Sequence, residues 1–465
     1  MIKLRTYQDK GVNQIREALR AGHKSVLYVA PCGAGKTVLF TYVAANAAAR
    51  RTRTVICVHR RELLLQASRA LTEQGVPHGI IAPGQPSTPH VIQVASVQTL
   101  VRRKGLKFDF LVFDEAHHCT ANTYKTICAA HPNARILGVT ATPCRMTGAG
   151  LGTVFDHMIM GPHYSELIDH GHLVSAVVYA PALMPNLDGV RSRAGDYVRE
   201  RLAAVMDTRQ ITGNAVEHYR RLCNGLPAIV FCVSVEHANH VAEDFAAQGF
   251  RSAVVDGKTQ QDIRDDRIAS LEDGRLNVLA SCDLISEGVD IPVVSVAILL
   301  RPTKSTGLYM QQAGRVLRPS QGKDKAIILD HVGNSLKHGL PDQDRDWTLE
   351  DGYVPHKREA DEDGPDVRAC EQCYAVHEWA KECPYCGYVY PVKVVAPPEE
   401  VEGNLEPITQ EEREEMLKQA RTASLSDLHK IGKRLGYKKG WAWVQIMGRR
   451  RASGKLARAK VGGIR

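Results

Sequence analysis

The 465-residue sequence contains no stretch of about 18 apolar residues free of charge, the minimum for a helix that crosses a bilayer. Its first residues, MIKLRTYQDKG, lack the apolar core of a secretory leader, so the expected compartment is the cytoplasm and no membrane partner is expected. Aromatic residues are scarce at 6%, and no internal repeat occurs beyond a twofold α/β alternation. With 44% hydrophobic and 24% charged residues the chain is neither disordered nor fibrous, and it is long enough for two or three cores. Acidic residues vanish altogether after Asp427, while Lys430, Lys433, Arg434, Lys438, Lys439 and Arg449 to Arg451 follow. The formal charge of +9 is therefore concentrated in the tail, where it suits a polyanionic partner or a protein contact.

What is present is a repeated alternation. From Ser25 to Thr140 short β-branched runs (SVLYV, TVICV, VIQVA, FLVF, ILGVT) alternate with segments of helical period. Strands apolar on both faces with helical crossovers imply an α/β fold with a parallel, doubly wound sheet. The alternation restarts at Pro227 with AIVFCV, SAVV, NVLA, VSVAILL and AIILD. Composition divides the chain into an N-terminal domain over 1–150, a connector over 151–226, a second α/β domain over 227–340, a cysteine module over 367–391 and a basic helical tail over 405–465.

The chemistry lies at the strand ends. APCGAGKT, Ala30 to Thr37, stands between a strand and a helix, where backbone N–H groups and the helix N-terminus suit a phosphate chain. Gly33 and Gly35 give the loop its freedom, Lys36 would reach the terminal phosphates of ATP, and Thr37 would ligate Mg²⁺. FLVFDEAHH ends a buried strand with Asp114 and Glu115, a metal-organising carboxylate followed by a base for water. Cys32, inside the phosphate loop, reads as a small packed residue rather than a redox switch.

Twelve cysteines divide into eight scattered singly and four gathered as Cys370, Cys373, Cys383 and Cys386. The pattern C-x2-C-x9-C-x2-C supplies four thiolates, a closed tetrahedral shell for structural Zn²⁺, with His377 as a weaker substitute ligand.

The ordered series LRTYQ, APCGAGKT, VHRREL, ASVQTL, DEAHH, TATP, IVFCVS, SEGVDIP and QQAGRVLR resembles the motif set of superfamily 2 DEAD/DEAH-box helicases, over Leu4 to Arg318. Within it the VTATPCR block, the LDHVGN segment and the paired cysteines look most like bacterial RadD-like and phage-encoded DNA helicases. That resemblance implies two tandem RecA-like domains, a small zinc-ribbon-like module and ATP hydrolysis in the cleft between the domains. It implies that Gln8 reads adenine, that Gly288 and Asp290 approach the nucleotide sugar, and that His117, Thr140 and Thr142 couple hydrolysis to domain motion. Gln311, Arg315 and Arg318 would complete catalysis from the second domain. Arg60, Arg61, Ser96, Gln98, Thr99 and Ser234 would hold nucleic acid, DNA in preference to RNA, largely through phosphate and sugar. Two other readings share these motifs: the translocase subunit of a restriction system, and an ATP-switched binding or annealing protein that does not unwind. The tail, with Tyr437, Trp441 and Trp443 among its cations, is expected to add a nucleic-acid contact or a protein-partner site.

Overall fold

The computed structural model describes residues 3–119, 122–144, 150–181, 185, 187, 190–193, 195–282, 291–350, 367–391, 408–438 and 440–452. The chain divides into two compact units, Met1–Tyr390 and Pro391–Arg465.

The first unit contains two large sheets. Strands β1 (Ser25–Val29), β2 (Thr54–Val58), β3 (Gly79–Ile81), β4 (Ile92–Ser96), β5 (Phe110–Asp114), β6 (Arg135–Thr140) and β7 (His157–Met160) form the first, in the order β3-β4-β2-β5-β6-β1-β7. Every pairing is parallel. All five residues of β1 and of β2 are buried. Alternate residues face different cores: Val26 and Tyr28 pack on one side of the sheet, Leu27 and Val29 on the other. This explains why the strands read as continuous apolar runs rather than as alternating ones.

The second sheet begins earlier than composition suggests. Strand β8 (Ser175–Tyr179) is followed by a hairpin of β9 (Ser192–Arg193) and β10 (Asp196–Tyr197). Then come β11 (Ala228–Phe231), β12 (Ser252–Val255), β13 (Val278–Ser281), β14 (Val296–Leu299), β15 (Lys325–Asp330), β16 (Val367–Ala369) and β17 (Ala375–Glu378). The sheet order is β12-β13-β11-β14-β15-β8-β17-β16, parallel through β8 and antiparallel beyond it.

Residues 151–226, read from composition as a connector, therefore contribute a strand to each sheet: β7 extends the first and β8 the second. The helix Arg209–Cys223 belongs to the second core, where Tyr219 meets Phe245 and Phe250 edge to face. These segments were hard to read because a short strand standing outside a regular strand–helix alternation carries little periodic signal of its own. The cysteine module is likewise joined to the second sheet, since Ala375 and Val376 pair with Tyr179 and Val178.

In the second unit, helices Gln410–Gln419, Leu425–Arg434 and Trp441–Ala452 surround a small core of Ala420, Leu428 and Ala442, lined by Ile431, Trp441 and Ile446. Thr409 and Glu412 form a reciprocal cap at the first helix, and Ser424 caps the second. Gly432 lets the third helix approach: a Cβ there would stand 3.0 Å from the Trp441 ring.

Candidate functional site

The phosphate loop leaves β1 and enters the helix Lys36–Ala49 through two left-handed glycines, Gly33 at φ +85° and Gly35 at φ +73°. Both are also sites of close approach. A Cβ on Gly35 would lie 2.6 Å from the Gln8 amide, and one on Gly33 would lie 2.8 Å from Leu173. The Lys36 ammonium donates to the carbonyls of Ala30 (3.1 Å) and Pro31 (3.0 Å), which hold it over the loop it is expected to serve. Ala30 N–H in turn donates to Thr140 O (3.1 Å), tying the loop to the end of β6.

Gln8 is buried against this loop. Its Nε2 donates to Gly35 O (3.2 Å) and its Oε1 accepts from Arg5 N–H (3.0 Å), while Tyr7 Oη donates to Ala34 O (3.1 Å). The first helix thus buttresses the phosphate loop with two side chains, and the amide expected to read adenine has one donor and one acceptor already engaged.

Strand β5 ends in Asp114, which is buried, and the next residue turns the chain. Glu115 adopts φ +48°, left-handed geometry that costs an L-residue about 1–2 kcal/mol, and leads into the short turn Ala116–His118. The turn brings His117 back against the carboxylate of Glu115 (Nδ1 to Oε2, 3.4 Å) and against Thr140 Oγ1 (3.1 Å). Thr140 Oγ1 also donates to Thr142 O and accepts from Thr142 N–H, both at 3.1 Å, which locks the TATP turn. Expected coupling residues from two motifs are thereby joined by one imidazole.

That imidazole also reaches the second domain. Gln311 Nε2 donates to His117 Nε2 (3.4 Å), an arrangement that leaves the ring proton on Nδ1 to face Thr140 and Glu115. Three further contacts cross the same cleft. A Cβ on Gly307 would stand 3.1 Å from Thr142 Oγ1, one on Gly314 would stand 2.6 Å from Cys32 Cβ, and the Arg318 side chain lies 3.5 Å from the Cβ position of Gly33. Cys32 is accordingly a packing residue between the two domains. Burial lowers the pKa of the Arg318 guanidinium from its ordinary value. Arg315 and Arg318 do not ride on the helix that bears Gln311: it ends at Ala313, and both arginines lie in the turn beyond. Gly288 and Asp290 lie outside the described residues.

On the other flank, Arg60 occupies the N-cap position, without a side-chain capping bond, and Arg61 begins the helix Arg61–Glu73, shortly after β2. Ser96 ends β4, and its hydroxyl donates to Gln98 Oε1 (2.7 Å), while Gln98 Nε2 donates to His59 O (3.4 Å). Thr99 is half-buried on the short helix that follows. Ser234 is the N-cap of the helix Val235–Ala247, its Oγ accepting from His237 N–H at 3.0 Å. Sequence reasoning missed the contact that joins the two domains here. Arg264 Nη1 meets Glu62 Oε1 at 2.6 Å, with the Arg264 side chain 9% exposed. Glu62 sits inside VHRREL, but its partner follows 202 residues later, in a helix that carries no motif named above.

In the cysteine module the four Sγ atoms of Cys370, Cys373, Cys383 and Cys386 all lie within 4.8 Å of one another. This donor set fits a tetrahedral thiophilic dication. Burial raises the Cys370 thiol, but the N–H groups of Cys373 and Gln372 together with neighbouring side-chain hydrogen bonds leave it lowered to about 6. Burial pushes Cys373 up to about 12. His377 is no substitute ligand: its Nδ1 donates to Glu378 O (2.6 Å) and its Nε2 accepts from Tyr390 Oη (2.7 Å).

Comparison with known proteins agrees with this arrangement. Residues 1–145 match the family "Type III restriction enzyme, res subunit", and residues 214–320 match "Helicase conserved C-terminal domain". A 51.5 kDa protein of a Lactococcus phage is 33% identical over 386 residues, 82% of each chain. The DNA 3'-5' translocase XPB2 of Sulfurisphaera tokodaii is 25% identical over 376 residues, 71% of this chain and 81% of that one. A fragment assigned as the HsdR subunit of a type I restriction enzyme from Vibrio vulnificus superposes with a TM-score of 0.58 at 21% identity. It covers 71% of this chain, which spans 64% of that fragment. Two parallel sheets, a phosphate loop on one and the QQAGRVLR turn of the other seated against it identify the chain as a member of the superfamily 2 ATP-dependent helicases.

Proposed function

We propose that the chain is a DNA-directed motor in which ATP, held between the two sheets, drives the domains together and hydrolysis releases them. The observation that carries this reading is the meeting of His117 with Gln311 and of Gly33 with Arg318, because it brings two expected catalytic groups of the second domain against the DEAHH turn and the phosphate loop of the first. Lys36 and Thr37 with the loop amides would hold the phosphates and, with Asp114, a Mg²⁺ ion that neutralises charge there. Glu115 would orient and deprotonate the attacking water, while Gln311, Arg315 and Arg318 would stabilise the charge that develops on the transferred oxygens. Gly288 and Asp290 would complete the nucleotide site, and Gln8 would meet the base with the donor and acceptor capacity its loop bonds leave over.

Arg60, Arg61, Ser96, Gln98, Thr99 and Ser234 would grip the nucleic-acid backbone on the flank away from ATP. DNA is favoured over RNA by the name of the archaeal relative, a DNA 3'-5' translocase. We assign Zn²⁺ to the four cysteines, in a structural role. The restriction-subunit reading is favoured by the family matching residues 1–145. It differs in what is assembled around the motor rather than in the motor itself.

Steady-state ATPase rates measured separately with single-stranded DNA, duplex, forked DNA and RNA test the proposal. Stimulation by DNA above RNA, with displacement of a strand from the fork only while ATP is hydrolysed, is the expected outcome. Turnover indifferent to every nucleic acid overturns it, and displacement without hydrolysis would favour the annealing switch.

A further inference from the structure

Three imidazoles lie in contact along the first domain, between the flank assigned to nucleic acid and the ATP cleft. His59 closes the turn after β2, and its ring centroid is 4.3 Å from that of His118, with the planes tilted by 58°. His118 is in turn 4.2 Å from His117, tilted by 43°. His118 is half-buried between its two neighbours.

Each end of the row is anchored in a different site. His59 immediately precedes Arg60 and Arg61, and its carbonyl accepts from Gln98, which is itself held by Ser96. Two of the strand-end segments expected to hold a nucleic-acid backbone are therefore fastened at His59. At the other end His117 contacts Thr140, Glu115 and, across the cleft, Gln311. The Gln311 contact depends on how the second domain is seated, so this end of the row is sensitive to cleft closure.

We infer that His118 is a positioning residue that transmits occupancy of the nucleic-acid flank to the DEAHH turn, through ring-to-ring contact with His59 and His117. The inference rests on the proposed motor function. Close-packed groups cannot shift independently, because a displaced ring must either move its neighbour or open a gap. When Arg60 and Arg61 are drawn onto phosphates, His59 moves with them, and His118 passes that displacement to the imidazole that touches both Glu115 and Gln311. The two-state element is the cleft itself, whose closed form the His117 to Gln311 bond favours.

The test uses the full-length protein with His118→Ala, His118→Phe and His59→Ala. Three quantities are read: basal ATP turnover, turnover at saturating single-stranded DNA, and DNA affinity with and without a non-hydrolysable ATP analogue. His118→Ala and His59→Ala should lower stimulated turnover at least about fivefold and leave basal turnover within about twofold. The factor by which the analogue tightens DNA should shrink together with the factor by which DNA tightens the analogue, because coupling between two binding sites is reciprocal. His118→Phe keeps a ring of similar shape in the row and should retain most of the stimulation, which also guards against an alanine variant that fails to fold. In the double alanine variant the loss should be no larger than in either single one, since both break one path.

Unchanged stimulation in both alanine variants, additive losses, or a phenylalanine variant as impaired as alanine overturns the relay. A wild-type chain that nucleic acid does not stimulate removes the proposed function and the relay with it. A stimulated wild type with stimulated variants removes the relay alone.

Discussion

Lys36 and Glu115 reach the same cleft from different strand ends, one held by loop carbonyls and the other aimed by a left-handed backbone. They are therefore separable by mutation. Lys36→Ala removes the charge proposed to meet the phosphates and should weaken nucleotide binding. Glu115→Gln keeps the shape and removes the proposed base, and should lower kcat at least about 100-fold while ATP and DNA stay bound. Trapping of both ligands by the glutamine variant, read by filter binding, checks this, and near wild-type turnover would refute the role. Arg315→Ala and Arg318→Ala should depress kcat by about 10³-fold with a smaller effect on nucleotide affinity, since transition-state contacts register in kcat. Two normal kcat values would remove the arginines from the chemistry. Glu62 and Arg264 offer a third test, because their 2.6 Å pair joins the domains. A double-mutant cycle with Glu62→Gln and Arg264→Gln, measured on ATP-dependent DNA affinity, should give a coupling of about 1–3 kcal/mol. Additive losses would mean that the pair does not help to close the cleft.

At the scale of elements, the central strands were legible because each is a short β-branched run buried on both faces, and β1, β2, β5 and β6 lie where SVLYV, TVICV, FLVF and ILGVT placed them. The strands added outside the regular strand–helix alternation were not. Strands β7, β8, β16 and β17 each have three to five residues, and their identity depends on a neighbour that offers unpaired backbone groups. The cysteine module shows both sides of this. Its metal-binding pattern could be read from spacing, but its addition to β8 could not. The docking makes a prediction about the metal: one zinc per chain is expected by elemental analysis. Cys370→Ser or prolonged chelation should release it and lower Tm, since the cluster around the cysteine loops buries little beyond Cys370, Cys383 and Tyr390 to hold them without metal. Metal-free protein with four freely titrating thiols and an unchanged Tm would refute the assignment.

For the whole molecule, the tail is the part whose partner is least constrained by the motor. Among its aromatic residues, Tyr437 and Trp441 stack on each other at 4.7 Å and Trp441 belongs to the small core. Trp443 is 53% exposed, near exposed Val444 and Met447 on the same helix. Of the three aromatics expected to meet bases, Trp443 is thus the most accessible. Truncation near Pro398 should leave ATP hydrolysis at saturating DNA intact, lower DNA affinity and flatten the slope of log K against log salt, because fewer phosphate counterions are released. Equal affinities and slopes for the two proteins across a salt series would make the tail a site for a protein partner.

The sequence by itself determined the chemistry of the motor, because the phosphate loop, the DEAHH strand end and the QQAGRVLR segment are each local. In each, a few adjacent residues carry the required donors, charges and backbone freedom. Tertiary structure alone decided which of those pieces touch. The seating of Arg318 on Gly33, the Gln311 to His117 bond, the Glu62 to Arg264 pair and the contact of His59 with His118 all join residues far apart in the sequence. No periodicity or spacing records such a meeting, because it is fixed by how separate elements pack within the first domain and against the second.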